Sequence, residues 1–152
     1  MAGEATSTAV RIVRLPAEPV TPPARTVSIP MVSADRRRVR RRVVASDGAA
    51  FELALPTGTA LPVGGALHVT EQVVYRIAAA PERVLVVQPR SIREAAFVGH
   101  LIGNLHRDVD LQGDAIVALW DAPLERRVRD ADLECVVTEQ PFRGRAPGEH
   151  AH

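Results

Sequence analysis

Five histidines, His68, His100, His106, His150 and His152, carry the metal-binding chemistry that this sequence offers. Imidazole suits Ni, Cu, Zn and Co. His106 closes the stretch His100-Leu101-Ile102-Gly103-Asn104-Leu105-His106 and follows Gly103-Asn104, a good helix stop. Its backbone is therefore held while its ring projects. One imidazole cannot hold a metal specifically, but two related by a dimer axis can, and C2 pairing is the commonest oligomer geometry. The last four residues, Glu149-His150-Ala151-His152, contain a His-x-His pair that can chelate. A mobile tail of this kind picks a metal up and hands it on. His68 stands alone in a strand-rich region and is expected to be satisfied locally. His100 lies on the helix and is expected to be structural. The candidate ligands are thus His106, His150 and His152.

Other chemistry is missing. There is no Gly-x-Ser-x-Gly, no P-loop, no Gly-x-Gly-x-x-Gly and no Cys-His pairing at a known spacing. Asp108 and Asp110 are an acid pair in form, but solvated strand carboxylates are far commoner. The residues argue against an enzyme.

The elements that position His106 are readable on both sides of it. Val84 to Val87 reads as a buried strand. Ser91-Ile92-Arg93-Glu94 is a capping box, followed by small or apolar residues at helical spacing (Ile92, Ala95, Ala96, Gly99, Ile102) and a second stripe of Phe97, Leu101 and Leu105. The helix is therefore apolar over more than one face. His106 to Leu111 alternates, so a strand there puts His106, Asp108 and Asp110 on one face. Ala115 to Trp120 is a further strand. Asp121 caps a second helix with Pro123 and Glu125 in its first turn and Leu124, Val128 and Ala131 on its inner side. Leu133 to Thr138 is the last strand, and Pro141-Phe142 closes the domain. The order β-α-β-β-α-β is the ferredoxin-like split arrangement. Its sheet leaves one face to be covered by the first domain or by a second copy of the chain.

Residues 1–78 have another character. Short apolar runs (Val10 to Leu15, Thr26 to Pro30, Asp35 to Val44, Phe51 to Leu55, Leu67 to Val69, Val73 to Ile77) alternate with Pro-rich breaks and the turns Asp47-Gly48 and Gly64-Gly65. Such punctuation predicts an all-β module. The whole is then α+β: an N-terminal all-β domain over 1–78, a ferredoxin-like domain over 79–142, and a tail over 143–152 too polar and small to fold.

Composition narrows the class. Aromatics are 3% of the chain, so the core must be aliphatic. All nineteen basic residues are Arg. Residues 1–46 hold nine Arg against three acids, and the remainder ten against fifteen. A basic N-terminal third can meet an acidic protein surface or nucleic acid, and it can also be a solvated strand face. The single cysteine, Cys135, forbids an intrachain disulfide and fits a reducing cytoplasm. No stretch approaches a membrane span, and no signal-peptide core is present. The expectation is a soluble, cytoplasmic protein.

The ordered set of motifs resembles the UreE family of urease accessory nickel chaperones over nearly the whole chain. The resemblance rests on the basic run Arg36 to Val44, Asp47-Gly48, Leu53-Ala54-Leu55-Pro56, Gly64-Gly65, Gly103-Asn104-Leu105-His106 and Pro141-Phe142. It implies a homodimer with an N-terminal partner-binding domain and a metal-binding ferredoxin-like domain. His106 would bind Ni²⁺ with its symmetry mate, and His150 and His152 would complete or feed the site. The implied partners are the urease accessory GTPase and the apo-urease activation complex. Two departures stand out. Leu105 replaces the usual arginine of the motif and should change the surface beside His106. Trp120-Asp121-Ala122 stands where many members carry accessory histidines, so metal capacity should be low. Imidazole chemistry does not separate Ni²⁺ from Zn²⁺ or Cu²⁺. An RNA-binding module of the same strand order and a metal-independent assembly adaptor are the competing readings.

Overall fold

The computed structural model describes residues 8–144. The chain divides into two compact units between Ala79 and Ala80.

The first unit contains β1 (Val10–Ile12), β2 (Arg25–Met31), β3 (Arg40–Val44), β4 (Ala50–Ala54), β5 (Ala66–Val69) and β6 (Val73–Ala79). They form two three-stranded sheets, β1-β4-β3 and β2-β6-β5, each with one parallel and one antiparallel pairing. Period-two alternation sends Val27, Ile29 and Met31 of β2 inward. They join Ile12, Val43, Phe51, Leu53 and Ile77 in one buried cluster, as an aliphatic core requires. The all-β expectation for this region therefore holds.

The basic run differs from its sequence reading. Asp35–Arg37 is a single 3-10 turn, and the strand begins only at Arg40. Arg36 is buried, not extended into water, and its Nη1 donates to the Met31 carbonyl at 2.9 Å. Val32 starts the turn, its carbonyl accepting from the amides of Asp35 and Arg36 at 3.0 and 3.1 Å. Asp35 then pairs with Arg38 and Arg41, which turns part of the positive run inward.

The second unit contains β7 (Pro81–Val87), α1 (Ile92–Asn104), β8 (Asp110–Gln112), β9 (Ala115–Leu119), α2 (Ala122–Asp130) and β10 (Cys135–Pro141). The sheet order is β10-β7-β9-β8 with every neighbouring pair antiparallel. Element order and strand order together are ferredoxin-like. One face packs on the helices through Leu85, Val87, Ile116, Val98, Ile102, Leu124 and Val128.

Both helix starts obey their caps. The Ser91 hydroxyl accepts from the Glu94 amide at 3.2 Å. The Glu94 carboxylate reaches one residue further back than a capping box requires and accepts from the Arg90 amide at 2.7 Å. Asp121 Oδ1 accepts from the Leu124 amide at 3.0 Å. The helices also tie to each other at both ends. Arg90 Nη2 donates to the Asp132 carbonyl just past α2, at 2.8 Å. Arg107, just past α1, pairs with Asp121.

The helix-free face is covered in part by the chain itself. Phe142 is wholly buried against Val84 and Val117, with Val86 and Leu119 beside them. The sequence reading left that face to another domain or copy. Phe142 lies just beyond β10, and a phenyl ring next to an aliphatic sheet face is drawn onto it by apolar burial. One side of α1 stays open. Ile92 is 90% and Phe97 48% exposed, and Ala96 and Gly99 are also exposed.

Candidate metal site

α1 ends in a paired hydrogen-bond pattern that fixes His106. The cap residue is Leu105. The His106 amide donates to the Gly103 carbonyl at 3.0 Å, and the Arg107 amide donates to the Ile102 carbonyl at 3.2 Å. This is a Schellman motif, whose first residue beyond the cap must be left-handed. His106 takes that place with φ 50°. It does not open a strand, as the alternation from His106 to Leu111 suggests. β8 begins only at Asp110, so the shared face of His106, Asp108 and Asp110 does not form. The helix-terminating hydrogen bonds decide the backbone of His106 before any strand pairing does.

A left-handed histidine is uncommon, because its Cβ crowds the backbone and glycine is the usual occupant. Strain at an exposed polar side chain is a pointer to function. His106 is exposed, and the residues around it hold it in place. Leu105 before it and Val109 after it both pack against the helix–sheet core. The surface change expected of Leu105 is thus an anchor in the core. Arg107 follows directly and is held by Asp121 Oδ2, while Oδ1 of the same carboxylate caps α2.

The other histidines are placed differently. His100 is exposed on α1, with Nε2 3.5 Å from Asn104 Nδ2, one helical turn on. His68 is half-buried beside Phe51 and Tyr75, with ring centroids 5.5 and 6.1 Å apart. His150 and His152 lie outside the described residues. Among the described residues no three His, Cys, Asp or Glu side chains converge to hold a metal. Among the described residues His106 is brought together with no second ligand.

Just before α2, Trp120 is engaged with its neighbours. Its Nε1 donates to Glu125 Oε2 at 2.7 Å, and the Arg83 guanidinium lies 3.8 Å over its ring. These bonds and the Arg129 guanidinium hold the Glu125 carboxyl below its ordinary value. Cys135 is half-buried, and burial raises its thiol pKa, away from the thiolate a metal would need. Arg107 and the second role of Asp121 were missed by sequence reasoning. Asp121 is legible as a cap, but nothing local marks its partner fourteen residues earlier.

Among the described residues no helix is long and apolar enough to cross a membrane. A family model for the UreE urease accessory protein N-terminal domain matches residues 11–80. Over 126 residues the chain is 51% identical to the urease accessory protein UreE of Synechococcus sp. (strain JA-3-3Ab), covering 83% of this chain and 85% of the relative. It is 45% identical over 124 residues to the protein of the same name from Deinococcus radiodurans, covering 82% and 80%. With the Corynebacterium efficiens UreE the identity is 32% over 117 residues, covering 74% and 76%. Matches of this extent run through both units and across the turn that carries His106, and by them this chain belongs to the UreE family of urease accessory proteins.

Proposed function

We propose that this protein is a cytoplasmic nickel metallochaperone, not an enzyme, that passes Ni²⁺ to the urease activation complex during urease maturation. The observation that carries the reading is His106: an exposed imidazole kept at a left-handed helix end between two core anchors. Nickel is cargo here. A carrier needs few ligands, held firmly enough to capture the ion and open enough to release it. One imidazole per chain gives half a site, and a homodimer brings its symmetry mate to the other half. His150 and His152 add ligands from the tail. Zn²⁺ and Cu²⁺ bind the same imidazoles in vitro. Partners are the urease accessory GTPase and apo-urease, met through the first unit, whose Arg40 and Arg42 are exposed.

Nickel stoichiometry and affinity by titration calorimetry test this for the parent, for His106→Ala and for a chain truncated after Gly148. The His106 variant is expected to lose the tight site, and the truncation to weaken it. Unchanged binding by His106→Ala would reject the site.

The RNA-binding reading finds no support in the second unit. Base stacking in modules of this strand order needs aromatic residues on the central strands. β7 and β9 carry none, and their helix-free face presents aliphatic side chains under Phe142.

A further inference from the structure

Arg107 brings a positive charge to the residue next to the proposed nickel ligand. Its backbone is held as firmly as that of His106, because its amide closes the turn on the Ile102 carbonyl at 3.2 Å. A guanidinium is a poor neighbour for a divalent cation. At a separation of roughly 8 Å in water, the repulsion weakens binding of the dication about fivefold.

The side chain is drawn to Asp121 at the start of α2, fourteen residues away in sequence. That carboxylate is itself fixed. Oδ1 accepts from the Leu124 amide at 3.0 Å, and Oδ2 meets Arg107 Nη2. The end of α1 thus supplies the cation and the cap of α2 the anion, so the pair is closed by two anchored elements. The opposite ends of the helices are tied in another way. There Arg90 Nη2 donates to the Asp132 backbone carbonyl at 2.8 Å, and Glu94 of its own helix meets its charge. A carbonyl suffices to join the helices at that end, whereas the end beside His106 carries a full countercharge. Partly exposed ion pairs contribute little to stability. Their field on a third charge nearby is a separate matter.

We propose that Asp121 is a positioning residue for nickel: it draws the Arg107 guanidinium onto α2 and cancels its charge, so that a dication can settle on His106. The inference rests on the nickel reading of His106 and adds the electrostatics of that same site. In a homodimer that shares one ion, both copies of Arg107 act on it, and the effect doubles in free energy. Asp121 acts through Arg107 and is not itself a ligand.

Nickel calorimetry on the full chain tests this with the parent, Asp121→Asn, Arg107→Gln, their double variant and His106→Ala, each at three ionic strengths. Asp121→Asn keeps an oxygen to cap α2 and removes the countercharge. It is expected to weaken binding about fifteenfold in ~0.01 M salt, about fourfold at ~0.15 M and hardly at all at ~1 M, as the Debye length shrinks from about 30 to 8 and then 3 Å. Arg107→Gln is expected to bind at least as tightly as the parent, and the double variant to return to within about twofold of it. A pair that merely braces the fold gives another pattern: both single variants lose affinity, the double variant does not recover it, and salt makes no difference. That pattern overturns the proposal, and so does parent-like affinity of Asp121→Asn at low salt. Arg90→Gln removes the tie at the far end and is expected to lower Tm while keeping nickel affinity. A loss there equal to that of Asp121→Asn also overturns the proposal. If His106→Ala binds nickel like the parent, the metal reading falls and the proposal with it. Loss of the site in His106→Ala beside unchanged binding by Asp121→Asn removes the proposal alone.

Discussion

Replacing His106 by glycine should stabilise the fold while removing the proposed nickel ligand. The imidazole sits at φ 50° beyond the cap of α1. A side chain in the left-handed region costs about 1–2 kcal/mol relative to ordinary helix. Glycine avoids this, but its freer unfolded chain gives back about 0.5–1 kcal/mol. The net expectation is a gain of about 0.5–1 kcal/mol. For a unit of this size that raises Tm by about 3–6 °C. His106→Ala is the control, because it deletes the imidazole yet keeps the Cβ that causes the strain. Scanning calorimetry with chelator, at one fixed protein concentration, compares the three proteins so that neither metal nor association shifts the midpoint. The glycine variant should melt above the alanine variant, and neither should bind nickel tightly. If glycine melts at or below alanine, His106 is not strained in solution, and the claim that function keeps a costly residue there fails.

Three further outcomes follow from the same structure. Phe142→Ala should cost about 3–5 kcal/mol, the range for an aromatic side chain removed from a well-packed core, and chemical denaturation should show it as a lower midpoint for the second unit, whereas Phe142→Leu should recover most of the loss. Asp121→Ala should cost about 1 kcal/mol by uncapping α2, while Asp121→Ser keeps a capping oxygen and loses only the Arg107 pair, so helix content by circular dichroism should fall in the first and hold in the second. Finally, hydrogen bonds from Arg90, and in Glu125 from Trp120 and Arg129, hold the Glu94 and Glu125 carboxyls below their ordinary value of 4.5. Groups depressed on folding stabilise above the unfolded value and lose that stabilisation as pH falls through the folded one. Stability should therefore be level above about pH 5 and decline below 4.5, and Glu94→Gln should flatten that decline.

Much of the local structure was legible because it is written in neighbouring residues. Ser91 and Asp121 announce their helices through side-chain oxygens that reach amides three residues on. Alternating Val27, Ile29 and Met31 announce a half-buried strand. His106 could be chosen from its place after Gly103-Asn104. Its conformation could not, because alternation over 106–111 competes with the hydrogen bonds that end α1, and the latter prevail. The buried Arg36 was hidden for a similar reason: a run of arginines looks solvated until a turn carries one of them back to the Met31 carbonyl.

Residue pattern alone was enough for the two kinds of domain and the βαββαβ order, since periodicity, caps and turn residues are short-range properties of a chain. Tertiary structure decided how these residues meet. It set Leu105 and Val109 in the core on either side of His106, tied Arg107 to Asp121, and carried Phe142 across the sheet to bring Arg143 to Asp110. Those partners lie fourteen and thirty-three residues apart. Their pairing depends on strand order and on burial of apolar surface, which exist only once the sheet has formed.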